Sequence, residues 1–281
     1  MSHLLQKIAE QNKFSLIDFK PLSGGDINEV FLLKCREGRF VAKLNQVSKF
    51  PGMFAAEARG LERLRQTASF KIPSIRANGE IENTSYLLMD YIPNGHPDSN
   101  FWEVFGTNLA ALHKTTSQKF GLDHNNYIGS LPQYNDFRET ASEFYISQRL
   151  APQLELASAN GFQFKGLSKF YTSISEEIPK EQPSLIHGDL WSGNYMVSEK
   201  GQPVLIDPAI GFAPREMDLA MMKLFGGFPD KVFTTYNSSF PLEPSWKDRV
   251  PLWQLYYLLV HLNLFGAGYL SRVKSIITKY T

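Results

Sequence analysis

The stretch His187-Gly188-Asp189-Leu190-Trp191-Ser192-Gly193-Asn194, followed by the apolar run Val204-Leu205-Ile206 and then Asp207, decides how the rest of the chain reads. It sets a carboxylate, Asp189, five positions before a carboxamide, Asn194, and puts a second carboxylate at the end of a short strand. Phosphoryl transfer asks for such a set. One carboxylate orients a hydroxyl and takes its proton, while an amide oxygen and a second carboxylate hold magnesium against nucleotide phosphates. Asp189 is therefore the candidate catalytic residue. Asn194 and Asp207, both hard oxygen donors, are the candidate magnesium ligands. His187 reads as a residue that shapes the loop, and Asp218, at the head of a helix, as one that braces it through hydrogen bonds.

Upstream lies a second candidate pair. Lys43 follows Phe40-Val41-Ala42 in a strand, and Glu57 falls on the helical face of Met53, Leu61 and Leu64. A carboxylate on such a face is costly to bury alone, so Glu57 needs a cation, and Lys43 stands 14 positions before it. The pair suits ATP: Lys43 on α- and β-phosphate oxygens, Glu57 holding it in place. The turn Ser23-Gly24-Gly25-Asp26 sits between two strands. Gly24 and Gly25 let backbone N–H groups approach a phosphate, although the turn fits neither GxGxxG nor GxxxxGK[ST]. Along the apolar strand Tyr86 to Ile92, an adenine ring can pack and bond to backbone groups of Asp90 and Ile92.

The order of elements agrees with this division of labour. Strands are predicted over 14–22, 30–35, 40–44, 74–79 and 85–91, with one helix over 53–65. The turn-rich stretch Ile92-Pro93-Asn94-Gly95-His96-Pro97 marks a boundary or hinge. Beyond it helices are predicted near 101–113, 135–150, 163–178, 215–225 and 248–265, around a short β segment that carries the chemistry. The expected architecture is α+β with two lobes: residues 1–92 a nucleotide-binding lobe, residues 93–281 a catalytic and substrate lobe, and a cleft between them.

Bulk composition narrows the function class. With 281 residues, 43% of them hydrophobic, the chain can bury a substantial core. A net charge of +1 gives no global pull toward nucleic acid or an anionic membrane. No stretch approaches the ~18 apolar residues of a membrane span, and the amphipathic start Met1 to Phe14 lacks the apolar core of a signal peptide. Cys35 is the only cysteine and reads as a strand residue. A chain without an internal disulfide fits the reducing cytoplasm.

These residues resemble the protein-kinase-like superfamily in its small-molecule kinase branch, and within it the fructosamine kinase (ketosamine 3-kinase) family. The resemblance spans the whole chain. It rests on the 187–194 stretch, on Leu205-Ile206-Asp207-Pro208-Ala209, on the run from Arg215 to Phe228, and on the segments 101–113 and 125–135. It implies a two-lobe kinase fold, with a small antiparallel-sheet lobe carrying one main helix and a larger, mostly helical lobe. It also implies ATP- and Mg2+-dependent phosphorylation of the sugar 3-hydroxyl of ketosamines, free or on glycated protein, as a deglycation repair step.

By similarity Asp189 is the proton acceptor, Asn194 and Asp207 bind magnesium, Lys43 and Glu57 are the phosphate-binding pair, and Met89, Asp90, Tyr91 and Ile92 match the adenine-binding hinge. Asp207 is followed by Pro208-Ala209, and only seven residues separate it from Arg215, which leaves no room for the activation segment of a protein kinase. Trp191 offers an indole face on which a sugar can stack, or packs between the catalytic loop and a helix. Arg215 and Glu216 are candidate substrate-side residues. The competing readings are an aminoglycoside, choline or homoserine kinase of the same architecture, an inactive nucleotide-binding scaffold, and a protein-docking module that ATP regulates.

Overall fold

The computed structural model describes residues 1–22 and 27–281. The first of two units opens with helix α1 (Ser2–Gln11) and strands β1 (Leu16–Pro21), β2 (Glu29–Cys35) and β3 (Gly38–Gln46). Helix α2 (Met53–Gln66) and the hairpin β4 (Ile75–Ile81) and β5 (Thr84–Asp90) follow. The strands form one antiparallel sheet in the order β1-β2-β3-β5-β4.

Alternation along β3 gives the sheet two working faces. Phe40, Ala42 and Leu44 are buried with Phe31, Leu33, Tyr86 and Leu88 against Leu5 and Ile8 of α1. Cys35 belongs to this same core, where burial pushes its thiol above the ordinary range and leaves it an inert strand residue. Lys43 and Asn45 point the other way, toward α2, where they meet Glu57 and the Met53 sulfur. Pro51-Gly52 ends the preceding loop, and Gly52 takes φ +71° just before α2 begins. The unit runs past residue 92 to Asp98 and takes in Met196–Ile206. Local pairing explains both: the Gly95 N–H donates to the Val197 carbonyl at 2.9 Å, and the Leu205 N–H donates to the Lys71 carbonyl at 3.1 Å.

The second unit, Ser99–Tyr195 with Asp207–Thr281, is mostly helical. It contains α3 (Phe101–His113), the short strands β6 (Asn126–Ile128) and β7 (Leu131–Gln133), α4 (Ala141–Phe144), a π-helical turn (Tyr145–Leu150), α5 (Ala151–Ala159) and α6 (Leu167–Glu177). Strand β8 (Ser184–Ile186) comes next; β9 (Tyr195–Val197) and β10 (Pro203–Leu205) follow along the chain, lying, apart from Tyr195, in the segment that belongs to the first unit, and β11 (Gly211–Ala213) returns to the second. Helices α7 (Glu216–Leu224), α8 (Asp230–Ser239), α9 (Trp246–Phe265) and α10 (Leu270–Lys279) complete it.

Helix α9 is the core of this unit. Leu252 to Val260 are buried on every side, as expected of a helix that is apolar all round. The helix expected over 135–150 instead begins at Ala141 and continues to Ala159. Thr140 and Glu143 form a reciprocal cap that fixes the start. The π-helical turn then carries the chain into Pro152, which lacks the N–H of a regular helix.

Candidate active site

Strand β3 and helix α2 bring Lys43 Nζ to 2.7 Å from Glu57 Oε1, with the side chains only 7% and 11% exposed. The pair lies on the sheet face opposite the α1 core. Further along the same unit, Asp90 N–H donates to Ser74 O at 2.9 Å and Tyr91 N–H to Arg39 O at 3.1 Å. The N–H of buried Ile92 has no hydrogen-bond partner among the described residues, so it is open to an acceptor such as an adenine nitrogen. The Asp90 side chain is held by Arg76 at 2.6 and 2.8 Å, and Met89 is a buried strand residue. Gly24 and Gly25 lie outside the described residues.

The second group is built by the loop after β8. Gly188 takes φ +83°, and a β-carbon there would run into the Ala209 carbonyl, so the position requires glycine. Asp218, from the first turn of α7, accepts the His187 N–H at 2.7 Å and the Gly188 N–H at 2.8 Å. Its Oδ2 also lies 3.1 Å from His113 Nε2, whose other nitrogen meets Tyr236 Oη at 2.9 Å. His187 is fully buried, and its Nδ1 accepts the Asp189 N–H at 3.3 Å. It shapes the loop, as its place in the sequence suggests. Nothing in the sequence marks His113 except a histidine closing an apolar helix.

Asn194 closes the loop. Its Nδ2 donates to Asp189 O at 2.8 Å, to Asp189 Oδ2 at 3.1 Å and to Asp207 O at 3.4 Å. Every one of these bonds leaves from nitrogen, which keeps Oδ1 as an acceptor for a cation. Asp207 adopts φ +54°, a left-handed conformation that Asp tolerates better than most residues and that the bond from Asn194 helps to hold. Among the described residues no three His, Cys, Asp or Glu side chains form a self-contained metal cage. A magnesium ion on Asn194 Oδ1 and the Asp207 carboxylate would take its other ligands from phosphates and water, as this ion commonly does. The donor set therefore fits.

Asp189 Oδ1 has no hydrogen-bond partner among the described residues. Part of the side chain reaches the surface, yet desolvation within the loop pushes its carboxyl up to about 7. The negative charges of Asp207 and Asp218 push the same way, against the Asn194 amide. For Asp218, burial also opposes the charge, but the His113 bond, both histidines and the Gly188 N–H outweigh it and hold that carboxyl below the usual range.

Trp191 is 40% exposed. Its ring lies over Gly193, where a β-carbon would collide with it. Arg215 and Glu216 are not open to a substrate. Arg215 is buried against Glu181, with further bonds to Phe240 O at 3.0 Å and Pro241 O at 2.7 Å. Glu216 accepts from Arg249 at 2.6 and 3.0 Å and from Trp253 Nε1 at 2.7 Å. Buried charges need such partners, and theirs lie 33 to 37 positions away in sequence, where spacing offers no cue.

A family model described as fructosamine kinase matches residues 1–281. A probable ketoamine kinase of Enterococcus faecium is 38% identical over 266 residues, covering 92% of this chain and 94% of that protein. The crystal structure of a putative fructosamine-3-kinase from Thermobifida fusca superposes with a TM-score of 0.89 at 30% identity, covering 100% of this chain and 99% of that one. The aminoglycoside phosphotransferase APH(4)-Ia superposes with a TM-score of 0.63 at 17% identity, covering 99% and 98%. That last likeness is one of fold alone, and the fold is the expected two-lobe, protein-kinase-like α+β architecture.

Proposed function

The chain belongs to the fructosamine kinase family, and from that membership we propose that it transfers the terminal phosphoryl group of ATP to the sugar 3-hydroxyl of a ketosamine, free or carried on a glycated protein. It is an ATP-dependent phosphotransferase with an alcohol acceptor. The observation that carries the acceptor chemistry is Asp189. One carboxylate oxygen is fixed by Asn194, the other is open, and the group is poised near neutrality. A base with an affinity for protons close to the working pH can both hold a hydroxyl and accept its proton.

The roles divide by unit. In the sheet-rich unit, proposed as the nucleotide-binding lobe, Lys43 offsets phosphate charge and Glu57 keeps its ammonium in place. Met89 to Ile92 receive the adenine, with the Ile92 N–H as donor. Gly24 and Gly25 are proposed as phosphate contacts on sequence grounds alone. In the helical unit, Asp189 aligns the acceptor, and the exposed face of Trp191 supports the sugar ring. Magnesium, bound by Asn194 and Asp207, supplies charge neutralisation at the phosphates. Most of the acceleration then comes from positioning and electrostatics, as this loose transition state demands. We place the activity in the cytoplasm, consistent with a chain whose one cysteine is buried and unpaired. Among the described residues no helix is long and apolar enough to cross a membrane.

A phosphate-transfer panel tests the reading: fructosamines, ribulosamines, glycated protein, choline and an aminoglycoside, each with wild type and Asp189→Asn. Transfer to a ketosamine is expected, with NMR placing the new phosphate on the sugar 3-oxygen. Transfer to choline or the aminoglycoside and to no ketosamine would overturn it.

A further inference from the structure

The backbone from Asp207 to Ile210 belongs to no strand. Asp207 takes φ +54°, Pro208 has no N–H to give, and Ala209 and Ile210 are buried. Buried backbone groups need partners, and a left-handed aspartate keeps its conformation only where its surroundings fix it. The Ala209 N–H donates to the His187 carbonyl at 2.9 Å. The two carbonyls are taken by side chains: Gln133 Nε2 donates to Ala209 O at 3.0 Å, and Asn126 Nδ2 donates to Ile210 O at 2.8 Å.

Asn126 and Gln133 pair directly across β6 and β7, so both side chains leave the same face of the hairpin. Residues 125–135 supply none of the groups assigned to ATP, magnesium or the sugar. Behind the hairpin the hydrogen bonds run in one direction. Arg149 carries donors only, so Asn135 turns its Oδ1 to Arg149 Nη2 at 2.8 Å. The Asn135 Nδ2 then donates to His124 O at 3.1 Å and to Asn126 Oδ1 at 2.9 Å. Gln133 Nε2 also donates to Asn126 Oδ1, at 2.8 Å, while Gln133 Oε1 accepts the Tyr256 hydroxyl at 2.8 Å. Asn126, Gln133, Asn135, Arg149 and Tyr256 are all buried. Both hairpin amides are thereby locked with their N–H groups toward residues 209 and 210.

We propose that Gln133 and Asn126 are positioning residues for magnesium binding: by holding the Ala209 and Ile210 carbonyls they fix the left-handed turn that sets the direction of the Asp207 carboxylate. This role rests on the reading of Asp207 as a magnesium ligand. Groups that orient a ligand without touching the ion commonly govern its affinity tenfold or more. The hairpin amides stand 76 and 84 positions before the carbonyls they hold, so the constraint is tertiary. An apolar side chain of similar length in place of Gln133 leaves the Ala209 carbonyl buried without that donor, and the turn relaxes to find another.

Mn2+, a paramagnetic stand-in for magnesium, is the probe. It is titrated into the full chain preloaded with ADP and read from its EPR spectrum, with protein in excess so that little free nucleotide competes for the ion. Saturable binding is expected, about tenfold weaker in Gln133→Met, with the affinity for metal-free ADP unchanged. Tyr256→Phe removes one hydroxyl and frees the Gln133 amide to turn over. It should weaken Mn2+ binding about threefold, and it decides the matter if Gln133→Met does not fold. Val273→Ala, in the apolar core on α10, controls for lost stability: it should lower the melting temperature and leave Mn2+ binding as in wild type. Asp207→Asn tests the premise, and unchanged Mn2+ binding there would remove the ligand assignment and this role with it. Weak binding in Asp207→Asn beside wild-type affinity in the Gln133 and Tyr256 variants would overturn the positioning role alone. So would a loss in Val273→Ala equal to theirs, or an ADP affinity that falls in step with that for Mn2+.

Discussion

Asp218 holds Gly188: its Oδ1 accepts the Gly188 N–H at 2.8 Å, and its Oδ2 takes the neighbouring His187 N–H at 2.7 Å. A side chain on α7 thus fixes the backbone immediately before Asp189, the proposed proton acceptor. In Asp218→Asn one of the two acceptors becomes an amide facing an N–H, in a site with no access to water. The expected cost is ~3 kcal/mol of stability. A loop displaced by a fraction of an ångström should lower kcat ~100-fold with little change in the KM for ATP. The acid dependence has a definite sign. A carboxyl held below its unfolded value contributes stability above that value, and the contribution is lost as the pH falls through the folded one. The difference in melting temperature between wild type and variant should therefore shrink between pH 5 and pH 3.

Lys43 and Glu57 form a nearly buried pair, and removing one partner strands the other. Lys43→Met should destabilise the protein by ~3 kcal/mol and raise the KM for ATP at least tenfold, with the acceptor KM little changed. The double variant Lys43→Met/Glu57→Leu separates the two effects. Its melting temperature should recover most of the loss, because no buried charge is left alone, while activity stays low. Recovery of activity together with stability would mean that Lys43 never touches phosphate.

Asp189→Asn should stabilise the protein while abolishing transfer. The carboxyl titrates near 7 in the fold against an ordinary value of 3.8. The folded state therefore binds the extra proton between these values, and stability is lost as the pH rises through about 7. At pH 8 the charge is a burden that the amide removes. The gain expected is ~2 kcal/mol, or roughly 4 °C in melting temperature without nucleotide. It should vanish at pH 4. A variant less stable than wild type at pH 8 would refute the desolvation account.

Local signals carried much of the site. The Lys43–Glu57 pair follows from strand-to-helix spacing, and Asp189, Asn194 and Asp207 stand close together because one loop and one strand hold them all. What the sequence hid is long-range. Arg215 and Glu216 resemble exposed charges until Glu181, Arg249 and Trp253 close over them. His113 reaches Asp218 across 105 positions. The displaced helix has a local explanation on each side. The Thr140–Glu143 cap was readable as a start, but Pro152 reads as a stop, and only a π-helical turn lets the helix pass it.

Gly193→Ala isolates the Trp191 question, because it moves the indole without changing its chemistry. The added methyl group would occupy space the ring now fills, and the ring, already 40% exposed, can yield by swinging outward. If the indole is a platform for the sugar, the acceptor KM should rise about tenfold, comparable to the loss in Trp191→Ala, since a stacked ring is worth ~1 kcal/mol or somewhat more. The KM for ATP should not change. A red shift in tryptophan emission would report the swing independently of turnover. Equal losses in both Michaelis constants would instead mean that the ring holds the catalytic loop in shape, and Trp191 would then belong with His187 among the residues that build the site without touching the sugar.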